Sequence, residues 1–286
     1  MAMPTVRNGL LFGWTVVLIA SVAWVQHRPP CRGGEHLTAT GWCEGGAPAA
    51  PARGGGRPRR GHGGRAVLPA PAVPPAPAVS CPEGLVYVPG GTVDGHGVEG
   101  FCLDRTEVTV AAYRGCVDAG ACADQRTGFW LGQEQAAAAC NLGRTGVDDH
   151  PMNCVDQTNA TRFCEWRTAR LPTEWEWQFA AQGTDGRTYP WGSAEPSNQL
   201  CWSGVNPRSG TCAVGSFPAG RSPYGAEDMS GNVWEWTSTA EGADRVIRGG
   251  AWYDRDAAWV RAAARDTYAP ANRFNLLGFR CARGAL

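Results

Sequence analysis

Lysine is absent from this chain: all 26 basic residues are arginine. That excludes every mechanism built on a lysine amine, Schiff-base chemistry included. Histidine is scarce, with five in all and only His96 and His150 beyond the N-terminal third. A histidine-rich zinc or iron centre therefore has little to draw on. No Cys-x-x-Cys occurs, which leaves a zinc ribbon or a thioredoxin-like dithiol without support. Net charge is missing too, 26 basic residues against 26 acidic ones. Nothing in that balance suggests bulk nucleic-acid binding, and no nucleic-acid partner is expected.

What is present begins with an apolar run. After a short n-region, residues 1–9 with Arg7, comes "LLFGWTVVLIASVAWV", Leu10 to Val25, without a charge. As a helix it would span about 24 Å, slightly short of a hydrocarbon core of roughly 30 Å. It fits a signal peptide, with Ser21-Val22-Ala23 as a cleavage site, as well as a retained membrane anchor. Either way the expectation is export, with residues 1–9 cytoplasmic. Residues 26–79 follow as a Pro/Ala/Gly/Arg-rich linker whose composition cannot bury enough apolar surface to fold. Within it, Cys31 and Cys43 flank a short loop and could pair.

The remaining residues, 80–286, are enough for a single core. Ten of the twelve cysteines lie there, and an even, dense set in an exported chain reads as disulfides. Proximity suggests Cys81 with Cys102, Cys116 with Cys122, Cys140 with Cys154, and Cys201 with Cys212. Strand-like pieces are short: "GLVYVPGGTV", "FCLDRTEVTV", "RVIRGGAW", "GFRCAR". Two helical stretches stand out, "TVAAYRGCVDAG" and "TNATRFCEW", the latter running on through "RTARLPT" to "EWEWQFAAQG". There Pro172 is expected in a first helical turn, Thr173-Glu174 as its cap, and Gly183 past its end. The carboxylates Asp156, Glu174 and Glu176 read as helix-start groups rather than as an acid–base pair.

One turn asks for a ligand. "DMSGNVWEWT", Asp228 to Thr237, places two tryptophans around a glutamate directly after Gly-Asn, and "RVIRGGAWYDRD" follows within ten residues. With "HPMNCVD", "RLPTEWEWQFAAQG", "YPWGSAEPSN", "RSPYGAEDMSGNVWEWT" and "LGFRCAR" in the same order, the chain resembles the formylglycine-generating enzyme, or sulfatase-modifying factor, family from Cys81 to Arg283. The exported, cysteine-rich form is similar to those of myxobacteria.

The resemblance implies an α+β fold, irregular and loop-rich, related to C-type lectins and crosslinked by disulfides. It implies a structural calcium held by Asp228, Gly231, Val233 and Glu235, oxygen donors of the kind calcium takes. A second calcium site would begin at Asn198, but its acidic ligand has no counterpart in "NPRSGTCAVG". It also implies a bond between Cys164 and Cys281; a further family pair falls at Ala181 and Ala262, both halves missing together.

Copper is not expected. Family enzymes oxidise a substrate cysteine to formylglycine with a pair of Cu(I)-binding thiolates, soft ligands for a soft ion. Those positions fall near Asp254 and Ala258 in "RGGAWYDRDAAWVRAAARD", a stretch without cysteine. The strand's serine is Ala251 and an active-site asparagine is Leu276. Related sulfoxide synthases take iron-binding histidines largely from a separate helical domain, whereas residues 26–79 read as linker.

The expected function is therefore a catalytically inactive, calcium-stabilised recognition module, with Trp234, Trp252, Asp254, Arg255 and Arg261 lining the former catalytic groove. Its partner would be an envelope peptide, protein or glycan. Its place would be the periplasmic or extracellular side of the inner membrane, secreted or held by residues 10–25. The alternative is an oxidoreductase that activates sulfatases by making formylglycine.

Overall fold

The computed structural model describes residues 35–37, 43–45, 79–130, 133–135 and 140–285. The apolar run 10–25, its cleavage site, most of the linker and the Cys31–Cys43 pairing lie outside these residues. Among the described residues no helix is long and apolar enough to cross a membrane. In the N-terminal unit, β1 (Glu35–Leu37) pairs antiparallel with β2 (Cys43–Gly45). This short ladder stands where linker composition had suggested no structure. Three residue pairs suffice for it, and composition does not register so local a pairing.

The C-terminal unit opens with β3 (Leu85–Val88), the hairpin β4 (Gly91–Val93) and β5 (His96–Val98), and then β6 (Phe101–Asp104). Helix α1 (Val110–Asp118) starts on Thr109, whose hydroxyl accepts the amide of Ala112. The hairpin of β7 (Gly128–Trp130) and β8 (Gln133–Gln135) follows. Helix α2 (Gln157–Trp166) is capped by Asp156 and α3 (Glu174–Gln182) by Thr173. Thr173 forms a capping box with Glu176, so the box partner is Glu176 rather than Glu174. Pro172 stands one residue before the cap, outside the first turn, and Gly183 ends the helix at φ 69°.

β9 (Trp234–Glu241) and β10 (Asp244–Arg248) form a hairpin, extended by β11 (Arg265–Tyr268) on one side. On the other side β12 (Leu277–Gly278) pairs parallel to β9, giving the order β11-β10-β9-β12. β13 (Ala282–Gly284) returns to β6 in a separate three-stranded sheet, β13-β6-β3.

β9 runs between two core clusters. Trp234 and Trp236 pack with Tyr113, Phe163 and Phe279 from the α1–α2 side. Trp177 and Phe179 of α3 belong to a second cluster with Val88, Phe101 and Leu103. Strand alternation sends Glu235 away from its two tryptophan neighbours and toward Trp177. Its Oε2 accepts the Trp177 indole N–H at 2.8 Å.

Five disulfides crosslink this loop-rich unit: Cys81–Cys102, Cys116–Cys122, Cys140–Cys154, Cys164–Cys281 and Cys201–Cys212. They are, pair for pair, those named from proximity and resemblance. Ala181 and Ala262 share one core cluster, both fully buried, where two methyl groups pack in place of a bond.

Candidate functional site

The turn that opens β9 is built on backbone few residue types accept. Asp228, Gly231 and Asn232 all have positive φ, at 56°, 78° and 58°. Asp228 and Asn232 are the types that tolerate this region best after glycine. Gly231 is required for a second reason: a Cβ there would come within 2.5 Å of the Cys201 carbonyl oxygen. The turn docks on the Cys201–Cys212 loop, the Asn232 amide donating to Cys201 O at 2.8 Å and Asn232 Oδ1 accepting from the Cys212 amide at 3.0 Å.

Beneath the turn lies a buried charge cluster. Arg280 donates from Nε and Nη2 to the two oxygens of Glu235, each at 2.7 Å, and neither side chain has any exposure. Burial alone would lower the arginine pKa, but the Glu235 charge outweighs it and holds the guanidinium protonated. Asp228 accepts the Gly215 amide at 2.6 Å, and burial pushes its pKa up. Beside it sits Glu107, 2% exposed, whose two carboxylate oxygens have no hydrogen-bond partner. Burial and then the neighbouring Asp228 hold Glu107 well above the usual carboxylate range, against the pull of Arg280.

Of the four calcium ligands implied by resemblance, Asp228, Gly231 and Val233 share the turn, while the Glu235 carboxylate is turned to Arg280 and Trp177. Among the described residues no cluster of three or more His, Cys, Asp or Glu side chains has the geometry to hold a metal. The residues fit a hard cation in one respect: two buried carboxyl groups, Glu107 and Asp228, stand side by side, and the guanidinium acting on both, Arg280, is bonded to Glu235. Glu107 escaped the sequence reading. Its only signal was an acidic residue inside the apolar stretch "EVTV". Asn198, the start of the second implied site, is exposed in a turn.

The loop after β10 carries the positions that the resemblance assigns to copper. Asp254, near the first of them, accepts the Ala251 amide at 2.7 Å. Burial raises its pKa; the Ala251 amide and the Trp234 indole offset this in part. Its carboxylate thus closes a turn. Ala258, at the second position, is an exposed methyl. Trp234 and Trp252 are nearly buried, and Trp259 stands edge-on to Trp234 with ring centres 6.1 Å apart. The Trp252 indole donates to Asn275 O at 3.2 Å. Of the expected groove residues, Trp234, Trp252 and Asp254 come together. Arg255 is exposed without an ion pair among the described residues, and Arg261 interacts with the Tyr189 hydroxyl. The carboxylates at helix starts are structural: Glu174 pairs with Arg248 at 2.7 Å, and Glu176 with Arg170 at 2.6 Å. Among the described residues no cysteine is free.

Three comparisons with known proteins bear on this site. The family model "Sulfatase-modifying factor enzyme 1-like domain" matches residues 70–285. The "Inactive C-alpha-formylglycine-generating enzyme 2" of Bos taurus is 39% identical over 179 residues, 55% of this chain and 59% of that protein. The "Formylglycine-generating enzyme" of Mus musculus is 34% identical over 166 residues, 47% of this chain and 44% of that protein. The chain thus spans less than two thirds of the length of either relative. Among solved structures, PvdO from Pseudomonas aeruginosa superposes with a TM-score of 0.58 at 22% identity, covering 70% of this chain and 94% of that one. At that identity the likeness shows the fold alone.

Proposed function

The chain belongs to the sulfatase-modifying factor enzyme 1-like family, and from that premise we propose that it is a catalytically inactive member, a calcium-stabilised recognition module of the cell envelope. One observation carries the inactive reading. The two copper positions hold a turn-closing carboxylate and a methyl group, and all ten cysteines of residues 80–286 are committed to disulfides. Carboxylate oxygen is a poor partner for Cu(I), and a sulfur in a disulfide is no thiolate. The similarity to a relative named as inactive agrees with this.

Calcium is proposed from the turn: Asp228 and the carbonyls of Gly231 and Val233 would hold it, with Glu107 adjacent. The ion would add positive charge beside the Glu107–Asp228 pair, where Arg280 is bonded to Glu235. The envelope location is proposed from the apolar run 10–25 and the disulfide density, which suits an oxidising compartment.

Turnover is the test. The full chain is incubated with Cu(I), oxygen, calcium and a Cys-x-Pro-x-Arg peptide, and the peptide mass is followed. No formylglycine above a protein-free control is expected. Its formation would overturn the inactive reading in favour of the formylglycine-generating alternative. A C-terminal fusion to alkaline phosphatase, which is active only after export, tests the location; a full-length but inactive fusion would place the domain inside.

A further inference from the structure

A polar groove runs beside Trp252. We propose that it binds the oxyanion of an acidic saccharide, a ligand class that deepens the recognition reading and rests on it. The inner end is lined by Asn141, Arg144, Asn153, Ser209, Thr211 and Trp252. It opens into a shallow depression of about 290 Å³ walled by Arg144 and Arg208 with Ser209 and Thr211. That is the lower end of the scale for small-ligand sites, room for one charged group and the ring that carries it.

The floor is pre-set. The Asn141 amide donates to Asn153 Oδ1 at 2.7 Å, and Asn141 Nδ2 donates to Pro151 O at 2.8 Å and to Thr211 Oγ1 at 3.0 Å. Asn153 Nδ2 donates to Asn275 O at 2.7 Å, the same carbonyl that receives the Trp252 indole. The far wall is clamped by the Cys201–Cys212 bond. Arg208 is fixed there, Nε donating to Trp202 O at 3.1 Å and its guanidinium resting over the Phe217 ring at 5.4 Å. Arg144 donates from Nη1 to Asn141 Oδ1 at 3.3 Å.

Charge in the groove is one-sided. Among the described residues neither Arg144 nor Arg208 meets a carboxylate. No acidic residue lines either part. Of the acidic residues in the adjoining loop, Asp148 pairs with Arg114, and Asp149 acts on His150, which meets Thr211 Oγ1 at 2.8 Å. Two guanidiniums with spare N–H groups beside hydroxyl and amide donors form an oxyanion site, for sulfate ester and carboxylate alike.

Aromatic faces next to the groove favour a saccharide as the carrier. Trp252 lines its inner end, and Tyr253 stands edge-on to Trp252 with ring centres 5.6 Å apart and 58% of its surface exposed. Flat amphipathic rings offer a stacking surface for the C–H faces of a sugar. The groove's donors and acceptors are side-chain hydroxyls, amides and guanidiniums on loops, not an open strand edge of the kind that adds an extended peptide.

The test uses the full chain and four probes of six units each: a heparin hexasaccharide, a hexagalacturonate, neutral maltohexaose and a hexaglutamate peptide. Titration calorimetry is expected to detect one or both acidic saccharides at least tenfold tighter than maltohexaose and hexaglutamate. Binding of hexagalacturonate identifies carboxylate as sufficient, whereas binding of the heparin hexasaccharide alone, which carries both groups, identifies sulfate as required. Arg144→Glu, a change at an exposed side chain, should weaken that binding at least tenfold with an unchanged melting temperature, and Arg105→Glu, outside the groove, should not. Arg208→Gln is the second variant, read only if its melting curve is retained. Equal binding of maltohexaose or hexaglutamate overturns the proposal, as does no binding of either acidic saccharide, or a folded Arg144→Glu chain that binds unchanged. Assaying the same preparation for formylglycine separates the two claims. Turnover overturns the inactive reading, whereas absent saccharide binding without turnover overturns only the groove.

Discussion

The carboxylate of Glu235 meets the guanidinium of Arg280 through two bonds of 2.7 Å, with both side chains fully buried. Arg280 also donates to the carbonyls of Asp104, Arg105 and Glu227, so one side chain ties β6, the segment before Asp228 and β9 together. A buried pair of this kind is costly to break from one side, because the surviving charge stays in the interior.

Arg280→Met should therefore destabilise the protein by about 3–5 kcal/mol, the range for an orphaned buried charge. Urea denaturation with a shifted midpoint and an unchanged slope would measure it. A loss below 1 kcal/mol would show that water reaches Glu235.

The Cys164–Cys281 bond closes a span of 117 residues and Cys116–Cys122 one of 6. On the chain-entropy relation, replacing the first pair by alanine should cost about 4–5 kcal/mol and the second about 2 kcal/mol. Comparing the two double variants by thermal denaturation checks the order. An equal loss would mean that strain or packing, rather than loop closure, sets the contribution.

Glu176 shows how pH enters. Burial would raise its carboxyl pKa, but the bonds from Arg170 and the Thr173 amide and hydroxyl outweigh that and leave it below the usual value. A depressed carboxyl pKa adds stability above its unfolded value, and this is lost as pH falls through the folded value. Glu176→Gln should cost about 1 kcal/mol near neutrality, the scale of a lost cap and a half-exposed ion pair. The difference from wild type should shrink below about pH 4.5. A gap that persists at pH 3 would assign the effect to shape rather than charge.

Calcium should raise the melting temperature of the chelator-treated protein. At a hundredfold excess over its dissociation constant the gain is about 2.7 kcal/mol. Asp228→Ala should abolish the increment. An Asp228→Ala chain that still responds to calcium by the full amount would move the site elsewhere.

Several local features were legible because they depend on neighbours in sequence. Thr173 announced the start of a helix and Gly183 its end, though the capping partner is Glu176 and not Glu174. Cysteine pairs separated by 6 to 21 residues could be matched by proximity, since short loops close easily. Gly-Asn before Trp-Glu-Trp marked a turn, and motif order across 200 residues indicated the family. Pro172 was misplaced by one or two positions, the usual slack of helix boundaries.

What the sequence by itself determined is most helix starts and turns and the short-range cysteine pairs, which follow from residue type and spacing, while the Cys164–Cys281 bond and the missing thiolate pair were implied by the family resemblance. Tertiary structure alone decided the partners of the charges. Glu235 reads as a ligand beside Gly-Asn, yet strand alternation turns it toward Arg280, 45 positions away. Glu107 has its raised pKa only once burial and Asp228 fold around it, and Arg144 joins Arg208 across a groove no sequence pattern records. Coulomb energy and burial depend on distance and solvent in three dimensions, and neither is written in the order of residues.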